Sequence, residues 1–342
     1  MSAEPAPLRS TRWDVSADPV EAWQFFYERG WCDGLPIVPP TAERVAEMLD
    51  GADPARVVAR LPPSYHEATV EKIAVNAVMA GCPAGALPVL VAAVEAIVEP
   101  SFRFLPVGTT PASPALVLNG PIRRALGVNC GYACMGGMTR INTTLGRALR
   151  LVAITLGMAG STTIPDQSTT GLPNRISFCF GENEEASPWE PYHVEHGFGP
   201  RESTVTAVNV AWAANMHDGE SKTPESLFRS IAGSITFQAS NAMETGLYQP
   251  FLVFGPEHAR LVADAGFSKA DVRRSLWELA ALPLASFPPE LQEKFARVGR
   301  TVIDGRVHLT ETPADLGILV AGGGGPHSVY MASFGRHQTR II

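Results

Sequence analysis

Three apolar stretches decide the fold: ALVLNGPI at 115–122, FLVFGP at 251–256 and ADLGILVAGGGGPHS at 314–328. Each holds a short run of large apolar side chains closed off by glycine and proline. Such a run is too short for a helix and reads as a buried strand. Working outward, the intervening sequence has helical period. TVEKIAVNAVMA (69–80) places apolar residues at Val70, Ile73, Ala74, Ala77 and Val78 before Gly81. The segment from Pro88 to Val98 is apolar on nearly all sides, which suits the middle of a core or a subunit interface. Alternating helix and strand predicts a layered α/β fold. The first two strand segments each follow a long apolar helical region. That pattern fits a duplicated helix–strand–Gly-Pro unit, or a turn signal that simply recurs after strands.

Other elements announce themselves by their ends. Asp18 as N-cap, Pro19 at the first helical position and Glu21 completing a capping box start a helix that Gly30 stops. Trp31–Thr41, WCDGLPIVPPT, has too much proline for regular helix and reads as a rigid connector or pocket wall. Thr41 caps a short helix ended by Gly51. NTTLGRALRLVAITLG (142–157) reads as a helix and STVTAVNVA (203–211) as a β-branched strand. Thr223–Pro224, the Ser268/Asp271 capping box and Pro289 open three further helices. The expected organisation is a flexible tail (1–17), a first α/β half (18–160), a Cys/Glu/His-rich connecting segment (161–200) and a second α/β half (201–342).

Composition narrows the function classes. The chain has 342 residues, of which 18% are charged, with a formal charge of -7. No basic run offers phosphate contacts, so nucleic-acid binding is not expected. ALPVLVAAV at 86–94 falls well short of a span of about 20 residues, so no membrane partner is expected. Five cysteines and no signal-peptide pattern point to reduced thiols in a cytoplasmic protein. The sparse surface charge suits a homo-oligomer acting on a small-molecule substrate.

Three stretches carry candidate chemistry. CFGENEEASPWEPYHVEH (179–196) combines Cys179, Glu182, Glu184, Glu185, Glu190, His193, Glu195 and His196. Glu190, His193 and His196 recur every third residue and would suit Zn²⁺ or Fe²⁺, although the prolines argue for a loop and the pattern is no standard metal motif. His193 with Glu185 or Glu190 would equally serve as a proton-transfer pair, and a solvated acidic loop is the plain alternative. NGPIRRALGVNCGYACMGGMTRINTTLGR (119–147) offers Arg123, Arg124, Cys130, Cys134, Gly136, Gly137, Arg140, Asn142 and Thr143. Glycine amides before a helix start make an anion cradle, and a thiol there could act as nucleophile or simply pack. The turn at 322–327, GGGGPH, lets backbone approach a ligand and brings His327. It fits neither the dinucleotide fingerprint nor a P-loop, so NAD and ATP are unsupported.

These pieces together resemble a bacterial family whose members carry a W-x-D-G-L-P-hydrophobic-V-P-P-T segment. The matching residues are Trp31–Thr41, the run ending at Cys82, LVLNGPI at 116–122, the Cys134 glycine loop with Asn142 and Arg147, SFCFGENEEASPWEPYHVEHGF at 177–198 and the closing AGGGGPHS. The resemblance covers most of the chain from residue 13 onward. Some relatives accompany a small redox-type domain with a UGSC sequence, which implies thiol or organosulfur chemistry; this chain has no such sequence. Relatives carry serine in place of Cys130 and Gly-Pro-Gly near Gly136–Met138, which favours Cys134 and Cys179 as nucleophiles here.

The leading expectation is hydrolytic or lytic cleavage of a small polar, anionic substrate. Cys134 or Cys179 would be the nucleophile, with His193, Glu185, Glu190 and His327 handling protons. Arg140, Asn142, Gly136, Gly323 and Asp33 would bind substrate, or His193, His196 and Glu190 would hold Zn or Fe to activate water. The alternatives are a thiol oxidoreductase using Cys130 and Cys134, and a non-catalytic ligand-binding or scaffold subunit.

Overall fold

Local capping chemistry sets most helix starts in the computed structural model, which describes residues 7–104, 109, 112–136, 138–158, 168–171 and 176–342. Residues 1–6 of the tail, Gly137, and 161–167 and 172–175 of the connecting segment lie outside the described residues. Helix α1 (Pro19–Glu28) begins where Asp18 accepts the Val20 and Glu21 amides. The capping box with Glu21 does not close, because the Asp18 amide donates to Ser16 Oγ instead. The tail expected to be flexible is tied down from residue 9: the Arg9 and Ser10 amides donate to Glu71, and Trp13 packs on Trp31. Thr41 caps α2 (Ala42–Leu49). A hairpin, β1 (Val57–Leu61) and β2 (His66–Thr69), follows. Its strands lack an alternating apolar face, so no period-two pattern marks it. Thr69 caps α3 (Val70–Ala80), and Gly81, with φ 82°, ends it. Helix α4 (Leu87–Ile97) is central: Leu90, Ala93, Val94 and Ile97 are fully buried.

The remaining elements build the main sheet and its cover. Strand β3 (Ser113–Asn119) leads through α5 (Ile122–Ala125) and α6 (Arg140–Val152) to β4 (Cys179–Gly181). Then come α7 (Tyr192–Glu195), β5 (Thr204–His217), α8 (Pro224–Ile235), α9 (Asn241–Thr245) and β6 (Phe251–Phe254). Helices α10 (Pro256–Asp264) and α11 (Lys269–Leu279) precede the small β7 (Ala281–Pro283), helix α12 (Pro289–Val298) and β8 (Arg306–His308), which pairs with β7. The chain closes with β9 (Gly317–Val320), β10 (His327–Ser333) and β11 (Gln338–Ile341). The Ser268/Asp271 capping box is present in both directions.

One seven-stranded sheet of order β4-β3-β5-β10-β6-β9, with β11 also on β5, runs through both sequence halves. The outer pairs β3–β4 and β6–β9 are parallel, and the inner pairs are antiparallel. Side chains alternate between two buried faces. Leu116, Leu118, Val205 and Ala207 face the core under α2–α6. Leu252, Phe254, Ile318, Val320 and Tyr330 face the core under α8–α12. The intervening Val117, Phe180, Val208, Val253, Leu319 and Met331 pack with one another inside the curl. Burial on both faces is why these strands read as unbroken apolar runs. The result is a mixed α/β fold with a curled sheet and interspersed helices.

Two expectations need correction. Strand β5 extends to His217, six residues past the expected end, because its second half pairs with β10. Residues 179–181 are a sheet strand rather than part of a connector. No helix among the described residues is long and apolar enough to cross a membrane. Leu90→Ala, which empties a fully buried site in α4, is expected to lower stability by about 2–5 kcal/mol; urea unfolding followed by circular dichroism measures it.

Candidate functional site

Curling brings the outer strands β4 and β9 together. The Asn183 amide donates to the Val320 carbonyl over 2.7 Å, and Asn183 Nδ2 donates to the Gly322 carbonyl over 3.0 Å. The Gly322 amide donates to the Cys130 carbonyl over 2.8 Å. Three distant stretches thus meet beyond the C-terminal ends of β3, β4 and β9, where open α/β sheets place their ligands. Glycine is required here by contact. A Cβ on Gly323 would lie 2.2 Å from the Tyr132 ring, and one on Gly181 would lie 2.4 Å from Cys130 Sγ.

Parallel register sets the polar centre. Leu118 pairs with Gly181, so the next residues, Asn119 and Glu182, stand side by side at the strand tips. Asn119 Nδ2 donates to Glu182 Oε2 over 2.5 Å, and the Tyr192 amide donates to the same oxygen over 2.8 Å. Glu182 is fully buried, and its Oε1 has no hydrogen-bond partner. Burial pushes its pKa up to about 7, although the charge of Lys269 and the two donors act against the rise.

Next to it lies a buried guanidinium. Arg123, from α5, donates to Glu184 over 2.6 Å, to both Glu185 oxygens over 3.0 Å, and to the Gly120 and Glu182 carbonyls. Nη1 also approaches Cys130 Sγ at 3.7 Å. Arg123 holds Glu185 down to about 2. Glu184 also accepts the Gly120 amide over 2.7 Å, and its Oε1 lies 4.0 Å from His193 Nδ1. His193 is fully buried, and neither ring nitrogen makes a well-formed hydrogen bond. Burial lowers its pKa, with Glu184 and the Gly199 backbone opposing.

The thiols differ in setting. Cys179 faces the apolar core from β4, and burial raises its pKa far above the ordinary thiol value. Cys134 is buried at the Gly322 turn and pushed up to about 11 by desolvation. Cys130 is half-buried and also raised by burial, with Arg123 opposing. All five cysteines are free thiols. The thiols the sequence favoured are therefore protonated at neutral pH, and Cys179 stands outside the polar centre.

Other expected residues disperse. The Gly136 amide is spent on the Ala133 carbonyl. Asn142 braces the 129–134 loop through Asn129 and Cys134. Arg140 donates to the Gly81 carbonyl. Asp33 forms a bidentate pair with Arg147, which also holds the Leu35 and Pro36 carbonyls, so the Trp31–Thr41 loop is a pinned connector. Glu190 is exposed, and His196 donates to the Tyr192 carbonyl while stacking on that ring. Among the described residues no three His, Cys, Asp or Glu side chains gather for a metal, so His193, His196 and Glu190 do not form the expected set. His327 is exposed and turns to Asn215 and His217.

Asn119 was not singled out from sequence, and Arg123, Glu182 and Glu184 were named within their stretches without a catalytic or binding role. An Asn-Gly-Pro end on a buried strand followed by arginine, opposite a strand ending in acids, is the signal that marks them. The chain matches no family model and no curated protein.

Removing the buried cation leaves Glu184 unpaired, so Arg123→Leu is expected to destabilise by about 3–5 kcal/mol, against about 0–1 kcal/mol for the exposed Arg124→Ala; chemical denaturation compares them. Glu182 makes a second prediction. Its folded pKa lies above the unfolded value, so the folded state holds the extra proton between about pH 4.5 and 7. Stability therefore falls as pH rises through that window, by on the order of 3 kcal/mol. Melting curves of wild type and Glu182→Gln should diverge there, with the variant flatter.

Proposed function

We propose that the chain is an acid–base enzyme that cleaves a small polar substrate, by hydrolysis or elimination, at the ends of β3 and β4. One observation carries this reading: a fully buried carboxyl, Glu182, held on one oxygen by Asn119 and the Tyr192 amide, keeps its other oxygen without a partner and titrates near neutrality. Strongly perturbed groups of this kind concentrate at functional sites. Asn119 and the Tyr192 amide fix Oε2, leaving Oε1 to carry the proton. In the protonated form Glu182 gives that proton to the leaving atom as its bond breaks; in hydrolysis water adds its hydroxyl to the carbon left behind, in elimination a neighbouring carbon loses a proton to water, and the proton set free restores the acid. Partly exposed groups stand near this strand end: Asn183 follows Glu182 in the chain, and Arg123, on the Glu182 carbonyl, also meets Cys130 and Glu185. Arg123 and Arg124 are both committed to glutamates, so substrate selection falls to backbone and amide donors.

We further infer that the curled sheet arose from a duplicated helix–strand unit. In its support, β4-β3-β5 and β9-β6-β10 share the same parallel and antiparallel pairing. Matching Leu118/Gly181 with Phe254/Val320 sets Glu182 against Ala321 and Asn183 against Gly322. In this reading the first half keeps the acid and the second supplies backbone.

The test is turnover of a panel of small amides, esters and hydroxy acids followed by mass spectrometry. The expected activity declines above about pH 7, as Glu182 loses its proton, and is lost in Glu182→Gln while the fold persists. A variant as active as wild type would reject the assignment.

A further inference from the structure

We propose that His217 and His327 form a two-imidazole clasp for a borderline divalent ion such as Zn²⁺. The site lies outside the polar centre above and does not depend on its chemistry. The two residues are direct register partners on the antiparallel strands β5 and β10. Their side chains therefore leave the sheet on one face. The ring centroids are 4.9 Å apart at an interplanar angle of 50°, and both residues are exposed. On a tetrahedral ion with Zn–N of about 2.0–2.1 Å, two coordinating nitrogens stand about 3.4 Å apart. Rings this close reach that separation by side-chain rotation alone.

A second observation orients one ring. His327 Nδ1 lies 3.2 Å from Asn215 Oδ1. With the amide oxygen as acceptor, Nδ1 carries the proton and Nε2 presents its lone pair. This is the arrangement by which a neighbour fixes the tautomer of a metal-binding histidine. His217 Nε2 lies beside Gly219, 3.7 Å from where a Cβ on that glycine would stand, with the Pro326 ring also close to that position. Imidazole pairs suit zinc, copper and nickel better than magnesium or calcium.

The nearby groups define the limit of the set. His258 is satisfied on both nitrogens, by Ser328 Oγ at 2.8 Å and the Asp218 carbonyl at 2.9 Å. The Asp218 carboxylate accepts from the Glu220 and Ser221 amides and the Ser221 hydroxyl. Since no third His, Cys, Asp or Glu among the described residues joins them, the ion's remaining positions fall to water or to a donor on a bound ligand.

The experiment is isothermal titration of the full chain, stripped with chelator, with Zn²⁺. One ion per chain is expected for wild type. His217→Gln and His327→Gln should each abolish the uptake. Asn215→Ala keeps both imidazoles and should weaken binding about 10- to 100-fold. Circular dichroism confirms that these surface variants fold. Absence of uptake by wild type, or full affinity in the double variant His217→Gln/His327→Gln, would overturn the clasp.

Discussion

A sheet that is apolar on both faces must bury both. Here helices cover the outer face, and the inner face closes on itself around Val117, Phe180, Val208, Val253, Leu319 and Met331. Everything described beyond β3, β4 and β9 depends on that closure. Two strands far apart in sequence become neighbours, and the Asn183–Val320 and Gly322–Cys130 hydrogen bonds join the loops that leave them. The four glycines at 322–325 make sense only in this setting. Their turn passes beneath Tyr132, where a side chain on Gly323 would collide with the ring.

Closure also concentrates charge where water is scarce. Glu184 is a half-buried carboxylate, Glu185 an exposed one, and both are held by one guanidinium from below. A buried pair of this kind adds little net stability, because desolvation consumes much of the attraction. It does fix geometry. Arg123 donates to carbonyls of Gly120 and Glu182 as well as to carboxylates, so it ties the turn after β3 to the turn after β4. The polar centre is built on strand ends locked against one another rather than on a free loop.

The strands facing two cores were legible because both faces are apolar; LVL, FLVF and ILV need no alternation to be read. Helices with Asp18, Thr41, Thr223 and Ser268 at their starts were equally legible, since capping is local chemistry. Strands β1, β2 and β10 were not, because their stability comes from partners remote in sequence. The site was legible only as a set of stretches. Sequence marked 179–196 and 119–147 as rich in chemistry, but spacing along the chain favoured Glu190, His193 and His196 as a group. In the fold the relevant neighbour of Glu182 is Asn119, 63 residues away, and no periodicity reports that. The resemblance favoured Cys134 and Cys179 over Cys130, and the fold packs both of them inside.

The division of labour among the three glutamates follows from where the arginine's donors go. Glu185 meets two guanidinium nitrogens and is held strongly acidic. Glu184 takes the remaining guanidinium donor together with the Gly120 amide. Arg123 touches Glu182 only through its backbone carbonyl, so the Glu182 carboxyl receives none of that stabilisation. Two neutral donors and the more distant Lys269 offset only part of its desolvation. Glu185 and Glu182 thus shift in opposite directions, the first held acidic by the guanidinium and the second raised by burial. Moving the guanidinium onto the Glu182 side chain would erase the distinction, and with it the reason to regard these strand ends as more than a structural knot.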